Sequence, residues 1–138
     1  MQPINVGIDL LWVRPGKVGG TESYIRNLLD GFTLFAPDSF CFILFVSQDN
    51  KASFEDYRKH DAFEMVECNV NSSDVWKRIL WEHLFLDRFA VKRNVDVMFV
   101  PVYSKPLSTG RIPYIVTVHD LQALHYPEYF SKLKNLWM

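Results

Sequence analysis

The chain has 138 residues and a formal net charge of -1 at pH 7, with 49% hydrophobic and 22% charged residues. This length suits one domain with a substantial core, and the composition is ordinary for a globular protein and argues against disorder. The 15 basic residues are scattered along the sequence, so it lacks the basic patch of a nucleic-acid-binding protein and we expect no nucleic-acid partner.

Strand and helix patterns alternate along the sequence. Apolar and polar residues alternate over 4–10, which is typical of a strand. Further apolar runs of strand length occur at 40–46, 63–70, 95–100 and 114–118. Apolar residues at helical spacing predict a helix between Gly20 and Pro37, a short one within 49–58, a long one over 74–93 and another from 127 onward. We therefore predict one α/β domain over residues 1–138, with a Rossmann-like parallel sheet flanked by helices.

Ligands of such sheets bind beyond the carboxyl ends of the strands. Three loops are expected there: residues 10–20, residues 101–110 and the segment that begins at His119. The residues with distinctive chemistry fall in these loops.

The first of these loops carries two adjacent glycines, Gly19 and Gly20, just before a predicted helix. A helix N-terminus has unpaired N–H groups and about half a positive charge, which suits a phosphate. Glycine leaves room for the phosphate because it has no side chain. Thr21 could cap the helix or add a hydroxyl donor. The alternative is that the two glycines form only a flexible turn.

Two common nucleotide-binding motifs are missing at this loop. The segment VGGTES lacks the third glycine of a G-x-G-x-x-G fingerprint, and no G-K-[ST] of a P-loop follows. Asp49 follows the second predicted strand, where a ribose-binding acid would be expected, but that indication is weak.

His119 and Asp120 directly follow the last predicted strand. Histidine side chains can be neutral or protonated near physiological pH, and the position of His119 would let it contact a ligand. The alternative is a structural histidine that bonds a neighbouring carbonyl, with Asp120 capping the next turn.

Neither the cysteines nor the histidines indicate a metal site. Cys41 and Cys68 lie in separate apolar runs without a CxxC motif, which predicts two reduced thiols. The four histidines have no ligand spacing such as HxxxH.

No apolar run reaches the ~18 residues of a membrane span and the N-terminus lacks a signal-peptide pattern, so we expect a cytoplasmic protein.

The long helix predicted over 74–93 has aromatic residues on two sides. At ~100° per residue, its core face would consist of Val75, Trp76, Ile79, Leu80, Leu86, Ala90 and Val91. Trp81 and Phe85 would point away from the core, among Lys77, Arg88 and Lys92. Such a pair could make a peripheral contact with an anionic membrane, at its inner surface. The alternative is a second packing surface.

Three segments together resemble the N-terminal half of family 4 glycosyltransferases, which are retaining enzymes of the GT-B fold. They are VGGTESYIRNLLDGF, WEHLFLDRFAVKRNVDVMFVPVYSKPL and VTVHDLQALHYPEYFS. The part from residue 114 to 131 is the most specific, whereas residues 40–71 match only in pattern.

The resemblance implies a two-domain enzyme in which this chain is the N-terminal, acceptor-side domain. It implies that Gly19 and Gly20 contact the donor diphosphate and that His119 contacts the donor sugar. Asp120 matches a position with a structural role, and Tyr103 matches a loop on the acceptor side of the cleft. The family needs no metal, cofactor or protein nucleophile, and its donors are nucleotide sugars such as GDP-mannose or UDP-glucose.

The family's donor-binding domain, with its E-x7-E motif, is absent from the sequence. We therefore expect the chain alone to be an inactive fragment, and we expect self-association through apolar surface that the missing domain would cover, near Trp137. The acceptor would be a glycan, a lipid-linked sugar or a small metabolite, as in polysaccharide biosynthesis. The alternatives are a non-catalytic nucleotide- or membrane-binding Rossmann-like module and a nucleotide-binding oxidoreductase.

Overall fold

Five strands form the centre of the protein, as seen in a computed structural model that describes residues 2–103, 106–107, 110–119 and 125. They are β1 (Ile4–Asp9), β2 (Phe40–Ser47), β3 (Phe63–Cys68), β4 (Val97–Val100) and β5 (Tyr114–Val116). They form one sheet in the order β3-β2-β1-β4-β5, and every neighbouring pair is parallel. This confirms the predicted α/β architecture, with a strand at each predicted position.

Helical segments connect the strands. They are α1 (Gly20–Phe35), a 3-10 helix (Lys51–Lys59), α2 (Val75–Trp81), a π-helical turn (Glu82–Leu86) and α3 (Asp87–Lys92). Helix α1 ends at Phe35, and Ala36 after it has the extended backbone that a residue before proline prefers. Asp74 caps α2, because its side chain accepts a hydrogen bond from the Lys77 N–H. The helix predicted from residue 127 onward lies outside the described residues.

The chain changes direction at β1, the central strand. From β1 it proceeds through α1 and the 3-10 helix to β2 and β3 on one side. It then crosses over through α2 and α3 to β4, which pairs with the other edge of β1. Such a reversal opens a crevice beyond the carboxyl ends of the two strands, where ligands of parallel sheets bind. The loops that follow β1 and β4 border this crevice.

Apolar side chains cover both faces of the sheet. One cluster combines α1 and the 3-10 helix with the sheet and includes Ile8, Ile25, Leu29, Leu44 and Phe54. The other combines the π turn and α3 with the opposite face and includes Phe45, Val66, Leu86, Ala90 and Met98. Burial on both faces explains why β2 is a continuous apolar run rather than an alternating one.

The side of α2 and α3 that faces the sheet differs from the prediction. Leu86 and Ala90 are buried as predicted. Four other residues that were expected on the core face are exposed instead: Val75, Trp76, Leu80 and Val91. Trp81 was expected to point away from the core, yet it is half-buried and packs against the second cluster, whereas Phe85 is exposed.

Two hydrogen-bonded polar side chains occupy part of the inward side of this helix. Arg78 and Glu82 lie one turn apart on the side of the helix that is least exposed, and their charged groups are 2.7 Å apart. The π turn begins at Glu82, and its i→i+5 hydrogen bonds shift the residues that follow relative to an α-helix. The prediction assumed an unbroken α-helix, with 100° between successive residues and apolar side chains on the inward side. It could not reproduce a helix that is interrupted by a π turn and has polar side chains on its inward side.

Candidate functional site

The N-terminus of α1 is open to solvent. Gly19 is its N-cap residue, with φ of 62° and ψ of -136°, and no described side chain caps the helix. A Cβ placed on Gly19 or Gly20 would meet no atom within 4 Å, so nothing described blocks an approach to the helix end. Thr21 lies inside the helix and gives it no cap hydrogen bond, so its predicted capping role is wrong. The exposed N–H groups and the helix dipole make this end suitable for an anion.

Asn50 fixes the beginning of the loop between β1 and α1. Its Nδ2 donates to the carbonyl oxygens of Leu10 and Val13, each at 2.8 Å. Its Oδ1 accepts a hydrogen bond from the Ser47 N–H at 3.0 Å. Asn50 is buried, so these bonds are shielded from water. The role of Asn50 was not predictable from the sequence, because an asparagine after a strand gives no sign that it will bond a loop 40 residues earlier.

Glu22 and Arg26 fix the end of the same loop. The Gly16 N–H donates to Glu22 Oε2 at 2.9 Å, and Arg26 Nε donates to Glu22 Oε1 at 2.9 Å. Arg26 also donates to the Ser53 carbonyl at 3.0 Å and lies over the Phe54 ring at 4.6 Å. Glu22 is the acid in the first turn of α1, and its charge would oppose an incoming anion. Arg26 neutralises that charge, so the positive potential of the helix end is kept.

His119 lies at the same crevice as the first turns of α1. Its Nε2 donates to the Pro101 carbonyl oxygen at 2.8 Å, since a carbonyl can only accept. The Tyr24 ring packs edge-on against the imidazole with centroids 5.1 Å apart, and the Tyr103 ring does so at 6.0 Å. The structural alternative for His119, a bond to a neighbouring carbonyl, is therefore present. The ring is nevertheless exposed, so this bond orients it without removing it from a ligand.

The structure thus brings several predicted site residues together. Tyr24 is four positions after Gly20 in α1, so its contact connects His119 to the first turns of the helix that begins at the glycine pair. Tyr103 is half-buried and borders His119, which puts the loop after β4 at the same site. Asp120 lies outside the described residues.

Asp49 does not form a ribose site. Its carboxylate accepts hydrogen bonds from the N–H and hydroxyl of Ser72, from the Ser73 N–H and from the Ser47 hydroxyl, at 2.7 to 3.1 Å. Desolvation works against the charge, but the bonds from these serines outweigh it and lower the pKa of Asp49. The carboxylate therefore joins β2 to the segment after β3, and its hydrogen-bonding capacity is used within the protein.

A largely buried cluster of three titratable side chains lies beneath the crevice. Asp9, the last residue of β1, accepts a hydrogen bond from the Leu11 N–H at 3.0 Å. Desolvation raises its pKa to about 6, against the effects of that bond and of the Arg78 charge. Desolvation and the charge of Asp9 raise the pKa of Glu82 to about 8, although Arg78 opposes this shift. Asp9, Arg78 and Glu82 form no pattern in the sequence, because they come together only when the helix packs on the sheet.

The described residues contain no group of three or more His, Cys, Asp or Glu side chains that could hold a metal ion. In the same part of the chain, no helix is both long and apolar enough to cross a bilayer. Cys41 and Cys68 are free thiols, in agreement with the prediction.

The chain matches no protein-family model, no curated protein and no solved structure. Its function therefore has to be inferred from the sequence, the fold and the geometry of the crevice.

Proposed function

We propose that this chain is the acceptor-side domain of a retaining glycosyltransferase, and that its glycine loop receives the diphosphate of a nucleotide-sugar donor. The contact between Tyr24 and His119 is the observation that supports this most directly. It puts an uncapped helix N-terminus and an exposed imidazole at one crevice of a Rossmann-like sheet. The reaction class comes from the sequence resemblance, whose two most distinctive segments carry these residues.

The proposed chemistry requires stabilisation of the leaving nucleoside diphosphate. Negative charge builds on the diphosphate as its bond to the sugar breaks, and preorganised N–H groups at Gly19, Gly20 and Thr21 would stabilise that charge. The acceptor would attack from the face that the diphosphate leaves, so no protein nucleophile is needed. His119 would orient the donor sugar: with Nε2 bonded to Pro101, Nδ1 of the neutral ring can accept a hydrogen bond from a sugar hydroxyl.

The binding part of this proposal can be tested on the chain itself. UDP, GDP and pyrophosphate should shift the backbone amide resonances of Gly19, Gly20 and Thr21 in ¹⁵N NMR spectra. Gly20→Asp should abolish the shifts, because a carboxylate would occupy the approach to the helix end. Gly31→Asp is the matched control: Gly31 is in the same helix, a Cβ there would also meet nothing within 4 Å, and it lies ~16 Å further along the axis. Shifts that are unaffected by Gly20→Asp would place the nucleotide elsewhere and overturn the proposed site.

The transfer part needs a separate experiment. In a preparation that transfers sugar from UDP-glucose or GDP-mannose, His119→Ala should lower the rate while UDP still binds. An unchanged rate would remove His119 from the reaction. Diphosphate binding without transfer in any preparation would favour a non-catalytic nucleotide-binding module, and tight NADH binding, followed by its fluorescence, would favour an oxidoreductase.

A further inference from the structure

Helices α2 and α3, with the π turn between them, expose a row of large apolar side chains. Trp76, Leu80 and Leu84 are spaced four residues apart and are 64%, 59% and 48% exposed. Phe85 is exposed beside them. We call these four residues, with the exposed Arg88 and Lys92, the helix patch. The half-buried Trp81 supports it, because its ring contacts both Phe85 and Phe89.

The charges of the helix patch all have one sign. The acids of this helical segment, Glu82 and Asp87, are each only 4% exposed. Glu82 pairs with Arg78, and Asp87 accepts a hydrogen bond from the Tyr114 hydroxyl at 3.4 Å. Burial of these two acids leaves the outward face without negative charge.

The cations of the helix patch are available to a partner. Arg88 and Lys92 form no ion pair within the described part of the chain. Lys77, at the edge of the patch, pairs with the N-cap residue Asp74 at 2.8 Å. The outward face therefore consists of apolar side chains next to two cations that an anionic surface could neutralise.

A second segment extends the apolar row. Leu107 is exposed, and its N–H donates to Nδ1 of His83 in the π turn at 3.0 Å. This bond holds the loop after β4 against the helix next to Leu84. Leu107 thus adds an exposed apolar side chain from a second segment that is bonded to the helix carrying the patch.

We propose that the helix patch docks onto an anionic lipid bilayer. Trp76, Leu80 and Leu84 would enter the headgroup region, while Arg88 and Lys92 contact lipid phosphates. Exposed tryptophan and leucine beside unpaired cations are typical of helices that lie in the membrane interface, and charge complementarity selects anionic lipid. A second copy of the chain fits less well, because a symmetric contact between two helix patches would bring like charges together. This inference does not depend on the proposed transferase activity.

Vesicle binding is the decisive experiment. The chain should sediment with vesicles of phosphatidylcholine mixed with phosphatidylserine, and much less with phosphatidylcholine alone. Trp76→Glu should weaken binding by about tenfold or more, because it puts a carboxylate at the lipid boundary. Arg88→Gln and Lys92→Gln should each weaken it about fivefold, since a basic residue near an anionic surface contributes about that much. Added salt should also weaken vesicle binding by the wild-type protein, because it screens the attraction between the cations and the lipid.

Phe35→Glu is the matched control, because Phe35 is 82% exposed but lies at the end of α1. It should leave vesicle binding unchanged. Leu84→Gln is a second, milder patch variant, to be used if circular dichroism shows that Trp76→Glu does not fold. Equal binding to both vesicle types, or equal loss with Phe35→Glu, would overturn the proposal. Concentration-dependent dimers that Trp76→Glu dissociates, without vesicle binding, would instead identify an interface between copies and also overturn it.

Discussion

The Tyr24 ring meets the His119 ring edge-on, with centroids 5.1 Å apart and planes at 86°. The Tyr24 hydroxyl also lies 3.5 Å from the Thr117 hydroxyl. Tyr24 belongs to α1 and the other two residues follow β5, so these contacts hold the end of an edge strand against the first helix. Because His119 also bonds Pro101 after β4, three parts of the chain determine the position of its imidazole.

Removal of the Tyr24 ring should therefore release His119. We expect Tyr24→Ala to lower the free energy of unfolding by about 1 kcal/mol, the usual contribution of an edge-to-face aromatic pair. It should also move the His119 ring proton resonances in NMR spectra, because they lose the ring-current shift. Tyr24→Phe keeps the ring and should change neither quantity by much. Unchanged His119 resonances in Tyr24→Ala would show that Tyr24 does not position the imidazole.

The glycine pair should respond to alanine in two different ways. Gly20 lies in α1 with open space around it, so Gly20→Ala should raise the free energy of unfolding by about 0.5–1 kcal/mol. Gly19 has a φ of 62°, which an alanine residue adopts only at an energetic cost. Gly19→Ala should therefore lower the free energy of unfolding by about 1 kcal/mol. Both methyl groups should weaken diphosphate binding. Urea unfolding and titration with UDP measure the two effects separately, and a more stable Gly20→Ala with unchanged UDP affinity would contradict the proposed site.

Asn50→Ala should disturb the loop between β1 and α1. The change leaves two carbonyl oxygens and one N–H without the partner that they have in the native protein, so we expect a loss of about 3 kcal/mol in urea unfolding. Amide hydrogen exchange at Gly16 through Gly20 should also become faster. The increase should be larger than the loss of global stability alone would cause. Thr33→Ala is a suitable control, because the Thr33 hydroxyl donates to the Asp30 carbonyl within the second half of α1, away from the loop. Equal acceleration in both variants would mean that Asn50 has no special role in the loop.

The structural elements that depend on the local spacing of apolar residues were predicted well from the sequence. All five strands and α1 follow from apolar spacing, and Pro37 marks the end of α1 correctly. The predicted glycine pair and His119 also lie at one crevice, because carboxyl ends of parallel strands share an edge. The orientation of α2 and α3 was not predictable in this way, since Arg78 and Glu82 occupy positions on the inward side and a π turn interrupts the helix. Long-range hydrogen bonds such as those of Asn50 leave no local pattern at all.

The buried cluster beneath the crevice should make stability fall as pH rises. Glu82 titrates near pH 8 in the folded protein, against 4.5 in its ordinary state, and Asp9 near 6 against 3.8. The folded state therefore holds protons on Glu82 and Asp9 that the unfolded state has already lost. The stability gained from these protons is complete at low pH and disappears as pH rises to about 8. Glu82→Gln keeps an oxygen for Arg78 but does not titrate, so it should flatten the decline between pH 5 and 8 in urea unfolding. Glu67→Gln, an exposed acid paired with Lys51, should preserve the decline. A pH dependence between pH 5 and 8 that is the same in wild type and in Glu82→Gln would show that Glu82 does not keep its proton in the folded protein.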